Sequence, residues 1–183
     1  MTTPASRRAP LVLATEDDEH APAVERLLDV AFGEARWQKT CQRLRDGQSP
    51  VSELSIVALA GDALVGTVRL WTVLAGRRRA LLLGPLAVDP AWRSCGIGGA
   101  LMTQAIDRAR RAGAPAILLV GDPPYYGRFG FSADLTRELS LPGPVERARL
   151  LARELIPGAL KGAMGPVVPA DHRVSRRQLA LAA

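Results

Sequence analysis

A glycine-rich turn set between an interrupted apolar strand and a long amphipathic helix constrains this chain more than any other feature. Residues 80–88 read Ala-Leu-Leu-Leu-Gly-Pro-Leu-Ala-Val, apolar enough for a buried strand, but Gly84-Pro85 stands in the middle. Proline has no N–H to give a ladder, so within a sheet it belongs at an edge or a bulge. A bulge here turns the strand away from its neighbour and predicts a wedge-shaped gap. Over residues 97–112 the apolar side chains Leu101, Met102, Ala105, Ile106 and Ala109 recur at helical spacing, with Arg108 and Arg111 off that stripe and Gly113 as a stop. Residues 117–120 form a second short, wholly apolar strand. Strand, helix and strand in this order predict a parallel β-helix-β unit.

The turn itself runs Val88-Asp89-Pro90-Ala91-Trp92-Arg93-Ser94-Cys95-Gly96-Ile97-Gly98-Gly99-Ala100-Leu101. Glycines at 96, 98 and 99 let backbone N–H groups converge on an anion at a helix N-terminus, where the helix dipole adds attraction. Arg93 supplies a side-chain cation. A tight strand-to-helix turn with no ligand has the same glycines, so the order strand, Arg, glycines, helix is what favours binding. The P-loop pattern is excluded, because no lysine lies near residue 96. The Rossmann fingerprint fails as well: its last small residue falls on Leu101, and the turn follows antiparallel segments instead of a first strand.

Before the turn, residues 11–14 read as a short strand, and Glu16, Asp17 and Asp18 offer capping carboxylates to a helix carrying Val24, Leu27, Leu28 and Ala31. A second helix is expected over about 37–45. Residues 54–59 and 64–71 are β-rich and flank Ala60-Gly61-Asp62, a hairpin turn composition, and the arginines at 77–79 fall in the next turn. Residues 147–155 fit strand or helix equally on pattern.

The 183 residues suit one domain over 1–183, with a core over about 10–170 and a tail over 171–183. Hydrophobic residues make up 48% of the chain, but no apolar run approaches the roughly 18 residues that cross a bilayer. Residues 1–10 lack the apolar stretch of a secretory signal, so cytoplasmic residence with no membrane partner is expected. Cys41 and Cys95 are expected as free thiols. The net charge of +6 raises the question of a nucleic-acid partner. All but Lys39 and Lys161 of the basic residues are arginines scattered along the chain, and the clusters at 77–79 and 108–111 lack the interleaved aromatics that stack on bases, so none is expected.

Val88, Pro90, Arg93, Gly96 and Gly98, opening a helix, resemble the Val-x-Pro-x-x-Arg-x-x-Gly-x-Gly of motif A in the GNAT superfamily of N-acetyltransferases. Downstream, Tyr126-Gly127-Arg128-Phe129-Gly130-Phe131 is similar to the Tyr-x-Arg/Lys-x-Gly-Phe element after that family's fifth strand. The Gly121-Asp122-Pro123 opening and the later Leu-Pro-Gly-Pro and Leu-Ile-Pro-Gly-Ala-Leu segments resemble a bacterial subgroup of N-acetyltransferases. The resemblance covers about residues 10–170.

It implies the GNAT fold, an α+β arrangement whose central mixed, mostly antiparallel sheet has six to seven strands and a splayed parallel pair around the motif A helix. It also implies acetyl-CoA as co-substrate. The pantetheine arm would run along Leu86, Ala87 and Val88, the diphosphate would sit on Arg93, Ser94, Cys95, Gly96, Ile97, Gly98, Gly99 and Ala100, and Tyr125 and Arg128 would complete the cofactor contacts. Tyr126 matches the family's general acid. The implied function is transfer of acetyl to a primary amine, on a small molecule or a peptide, by direct attack. An acyl-CoA-binding regulatory module without turnover is the alternative, and a homodimer is compatible with either.

Direct attack needs a neutral amine, a donor for the oxyanion and a proton for the leaving thiolate. A phenol and a thiol have ordinary pKa values of about 10 and 8.5, near enough for a tyrosine to serve the sulfur. Glu34, Glu53 and Asp122 are candidate bases with nothing to choose between them. Cys95 at a helix N-terminus is an imaginable nucleophile, but it has no neighbouring His in sequence. His20 and His172 are isolated, and no metal-ligand spacing occurs, so no metal is expected. The acceptor is expected between residues 33–37 and 142–145.

Overall fold

The computed structural model describes residues 10–170, and it builds them around one mixed sheet of eight strands. In chain order these are β1 (Leu11–Thr15), α1 (Ala21–Phe32), β2 (Ile56–Ala60), β3 (Ala63–Ala75), β4 (Arg78–Val88), α2 (Ile97–Arg111), β5 (Ala116–Val120), the single turn α3 (Pro123–Gly127), β6 (Leu139–Ser140), β7 (Leu150–Glu154) and β8 (Gly165–Pro169). The main order is β1-β2-β3-β4-β5-β7, with β8 joining β3 and β6. Among the described residues only β4 with β5 and β6 with β8 run parallel. The expected α+β architecture with its splayed parallel pair is the observed one, at eight strands because β6 and β8 are short additions.

The apolar pattern of β4 records why the sheet parts. Leu81 and Leu83, then Leu86 and Val88, pack toward α2, while Ala80, Leu82 and Ala87 pack on the opposite face. The alternation slips by one residue across Gly84-Pro85, as a period of two requires when a strand gains a residue. The ladder with β3 shifts at that point, since Val68 faces Leu86 but Leu70 faces Leu83. Pairing with β5 stops at Leu82 opposite Leu118, so the two parallel strands diverge from Gly84 onward.

Helix α2 lies across one face, its buried Ile97, Leu101, Met102, Ala105, Ile106 and Ala109 forming a core with Val68, Leu70, Leu81 and Ile117. Gly66 on β3 lets it come close: a Cβ there would stand 3.0 Å from both Ile97 and Leu101. Helix α1 covers the other face with Val24, Leu27 and Leu28. Asp17 caps the turn leading into it, accepting from the N–H groups of Glu19 and His20.

Three sequence expectations need correction. Residues 37–45 form two short 3-10 turns, Glu34–Gln38 and Thr40–Leu44, and no α-helix. Tertiary contacts decide this, because Thr40 and Arg43 spend their side chains on the carbonyls of Pro144 and Pro142. Arg78 and Arg79 belong to β4, which starts earlier than its apolar run because β3 extends to Ala75 and pairs with them. The β-rich reading of 54–59 begins two residues late in the structure, after a 3-10 turn at Ser52–Leu54. The stretch 147–155, open between strand and helix on pattern, resolves as a 3-10 turn followed by the strand β7. The expected tail over 171–183 and His172 lie outside the described residues. Among the described residues no helix is long and apolar enough to cross a membrane.

Candidate active site

The divergence of β4 from β5 opens onto the N-terminus of α2 in a cleft of about 570 Å³, lined by Val88, Trp92, Arg93, Ser94, Gly96–Gly99, Tyr125, Arg128 and Phe129. After Pro90–Trp92, a single 3-10 turn capped by the Asp89 carboxylate, the chain takes positive φ at Ser94 (65°) and Gly96 (78°). Left-handed backbone at Ser94 costs about 1–2 kcal/mol for a residue with a Cβ, and alternating it with Cys95 turns successive N–H groups inward. The first turn of a helix leaves its N–H groups without partners. Here Ala100 N–H bonds the Gly96 carbonyl and Cys95 N–H the Trp92 carbonyl, leaving those of Ser94, Gly96, Ile97, Gly98 and Gly99 without backbone partners among the described residues. Arg93 lines the cleft, and Cys95 is an exposed free thiol outside its lining.

The strand edge beside this cradle is also free. Asp89 N–H donates to the Val65 carbonyl in an antiparallel ladder that sets Val88 opposite Gly66. Hydrogen-bonded pairs alternate in such a ladder, so Ala87 spends its N–H and C=O on β3, while Leu86 and Val88 turn theirs to the gap. An extended chain entering there would find a donor and an acceptor on each of two residues.

The adjacent tyrosines part company. Tyr125 turns its hydroxyl to the cradle, where a Cβ on Gly98 would meet it at 3.0 Å. The Arg128 guanidinium stacks 4.6 Å over the Tyr125 ring and donates to the Tyr125 carbonyl. Tyr126 points inward, edge-on to Tyr125 and Phe131 and closely over Gly121, where a Cβ would overlap the ring. Its hydroxyl makes no hydrogen bond among the described residues. Burial pushes its pKa up to about 12, with Tyr125 and Asp122 adding to the shift and Arg149 opposing it. The ordinary phenol value used for the sequence argument therefore does not hold: Tyr126 keeps its proton throughout the physiological range.

The sequence model of the acetyltransferase (GNAT) family matches residues 21–131, from α1 through the Gly-Phe after α3. The chain belongs to the GNAT family. The uncharacterized N-acetyltransferase YhbS of Escherichia coli (strain K12) is 31% identical over 90 residues, 49% of this chain and 54% of that protein. The chain thus spans about half the length of the curated relatives it matches. Over the whole fold the likeness is wider. The crystal structure of E. coli YhbS in complex with CoA superposes with a TM-score of 0.76 at 25% identity, covering 95% of this chain and 96% of that one. A GNAT family acetyltransferase from Brucella melitensis in complex with acetyl-CoA gives 0.59 at 26% identity, over 80% and 97%.

In this GNAT chain the candidate bases do not converge. Glu34 and Asp122 are exposed, and Asp122 spends its carbonyl on the N–H groups of Tyr125 and Tyr126. Glu53 is exposed and its carbonyl is contacted by Arg108, three turns along α2 from the cradle, roughly 16 Å at the usual helical rise. No cluster of three or more His, Cys, Asp or Glu able to hold a metal occurs among the described residues. The two segments expected around the acceptor are joined through the turn between them. Thr40 Oγ1 donates to the Pro144 carbonyl at 2.7 Å, and Arg43 to that of Pro142 at 2.5 Å. Arg36 fastens the first segment to α1 through Glu25 and Asp29. Sequence reasoning placed Gly121 in a motif without assigning it a role and missed Arg149, whose Nε reaches the Gly121 carbonyl from an ambiguous stretch.

Proposed function

We propose that this protein is an N-acetyltransferase that takes acetyl from acetyl-CoA and passes it to a primary amine by direct attack. The observation that carries the reading is the row of unpartnered N–H groups of Ser94, Gly96, Ile97, Gly98 and Gly99 beside the free edge of Leu86 and Val88. Those donors suit a diphosphate at a helix N-terminus, with Arg93 and Arg128 adding charge. The edge suits an amide-containing arm added as a strand. Most residues from the sequence reading thereby keep their roles, except that Cys95 and Ala100 contribute shape with their N–H groups already bonded and Ala87 turns its N–H and C=O to β3. One domain in the cytoplasm fits this reading.

The amine nitrogen attacks the thioester carbonyl, the C–S bond breaks, and the Tyr126 hydroxyl gives its proton to the departing sulfur. The ammonium proton leaves through water and restores the phenol. With a pKa near 12, Tyr126 is always loaded with its proton, and its hydrogen bond strengthens only as charge builds on sulfur, which is what accelerates a step. The free hydroxyl supports catalysis over the regulatory alternative.

The test is a thermal scan with acetyl-CoA and with NAD, followed by thiol release over a panel of amines. Acetyl-CoA is expected to raise the midpoint by mass action and NAD to leave it in place. A shift with NAD alone would overturn the reading.

A further inference from the structure

Across the sheet from the cradle sits a half-buried cation without a counter-charge among the described residues. Arg45 follows the turn Thr40–Leu44, and its guanidinium lies over Gly84, where β4 leaves β5: a Cβ on Gly84 would stand 3.0 Å from Nη2. Its Cζ is 6.0 Å from the centre of the Trp71 ring, and Trp71 donates its indole N–H to the Gly84 carbonyl at 2.6 Å. Arg45 Nε is buried with no hydrogen-bond partner, as is Gln48 Oε1 a few residues on. Arg45 enters no ion pair among the described residues.

Buried charges in proteins are paired, because removing an ion from water is repaid only by a partner. Other inward guanidiniums among the described residues obey the rule: Arg69 is held by Glu16 at 2.5 Å and Glu25 at 2.7 Å, and Arg36 by Glu25 and Asp29. The groups near Arg45 do not help it. Burial pushes the Cys41 thiol up, so it supplies no thiolate at neutral pH. Lys39 is held low by burial and then by the positive charges of Arg45 and Arg149. The missing charge therefore comes from outside the described residues, and the place it must occupy adjoins the gap from the face away from α2. That face is walled by the turn at 40–44 and the loop at 142–145.

We propose that Arg45 is the anion-binding residue of the acceptor site, and that the amine acetylated here carries a carboxylate or phosphate that this guanidinium takes as its counter-charge. The proposal rests on the acetyltransferase reading above. A phosphate of the cofactor is not the ligand meant, because the N–H donors suited to it lie on the opposite face.

The experiment uses the full chain, as wild type and as Arg45→Met, saturated with acetyl-CoA. Thiol release is followed with matched amines: α-amino acids against their amides, and phosphoethanolamine against ethanolamine. The anionic member of at least one pair is expected to be preferred by about 10² or more in kcat/KM, as when a site built for a polar group meets an analogue lacking it. Which pair shows the preference identifies the oxyanion. In Arg45→Met the ratio is expected to fall to near one, through KM, with the acetyl-CoA thermal shift retained. Arg45→Met should melt no lower than wild type, because the guanidinium has no partner to lose. A ratio near one in wild type, a ratio that survives Arg45→Met, no turnover of any anionic member, or a large fall in melting temperature would each overturn the proposal. Absence of an acetyl-CoA shift in wild type would instead overturn the acetyltransferase reading on which it stands.

Discussion

On the α2 side of the gap the free polar groups are the backbone N–H donors of Ser94, Gly96, Ile97, Gly98 and Gly99, whereas on the opposite side the free donor is a side chain, that of Arg45. Backbone donors are held by helix geometry and by residues that lack a Cβ, so they are rigid and indifferent to the rest of the molecule. Side-chain donors depend on what packs around them, as the 3-10 turn at Thr40–Leu44 depends on the carbonyls of Pro142 and Pro144. The first kind of surface can serve one ligand in every member of a family, and the second can be rebuilt for each acceptor without disturbing it.

The largest effect belongs to Tyr126. Tyr126→Phe keeps the ring on Gly121 and Phe131 and removes the proton donor, so kcat should fall by about 10² to 10⁴, the usual span for a general acid. Acetyl-CoA binding should be unchanged, and Tyr125→Phe, altered on the cradle side, should leave turnover nearly intact. Steady-state kinetics of both variants would decide it, and wild-type kcat in Tyr126→Phe would make water the proton source.

Next comes the ion-pair network behind the acceptor side. Arg69→Ala would leave the Glu16 carboxylate, 8% exposed, without its partner, a loss of about 3–5 kcal/mol for a broken buried pair. Denaturant unfolding measures it. If the two sides are as separate as their construction implies, a folded Arg69→Ala protein still binds acetyl-CoA with wild-type affinity, and a matching loss of affinity would show them coupled.

Gly98→Asp breaks the cradle alone. Its side chain would meet the Tyr125 hydroxyl and set a negative charge among the phosphate donors. Wild type should gain about 2.7 kcal/mol at a hundredfold excess of acetyl-CoA over Kd, and the variant should lose that gain. Retention of the shift would move the phosphates elsewhere.

The same division explains what could be read in advance. Gly84-Pro85, the glycines at 96, 98 and 99 and the stripe on α2 are local demands of backbone and period, so the bulge, the cradle and the splay were visible in the sequence. Tyr126 was visible through the resemblance alone, and its raised pKa was not, because burial by Tyr125 and Phe131 is tertiary. The helix expected over about 37–45 gives way to 3-10 turns because the side chains of Thr40 and Arg43 are taken by carbonyls about a hundred residues away. Arg45 gave no signal at all: one arginine among many is distinguished only by the absence of a carboxylate, which no linear pattern records.

The smallest effect, and the finest probe of the acceptor side, is the pH dependence set by Glu25. Burial alone would raise its pKa, but hydrogen bonds and charge from Arg69 and Arg36 outweigh it and hold the carboxyl below its ordinary 4.5. A group whose folded pKa is depressed stabilises the fold above its unfolded pKa, and that contribution fades as pH falls through the folded value. Glu25 is 41% exposed, so solvent screening keeps its share below about 1 kcal/mol. Wild type should therefore lose more stability than Glu25→Gln as pH drops from about 5 into the acid range, and the two should run parallel above it. Denaturant midpoints at stepped pH measure the difference, and raised salt should shrink it. Because Arg36 ties this network to the segment at 34–38, a KM for the acceptor that rises over the same pH interval, with acetyl-CoA affinity level, would show the network setting the acceptor wall. Level values for both would confine Glu25 to holding α1 on the sheet.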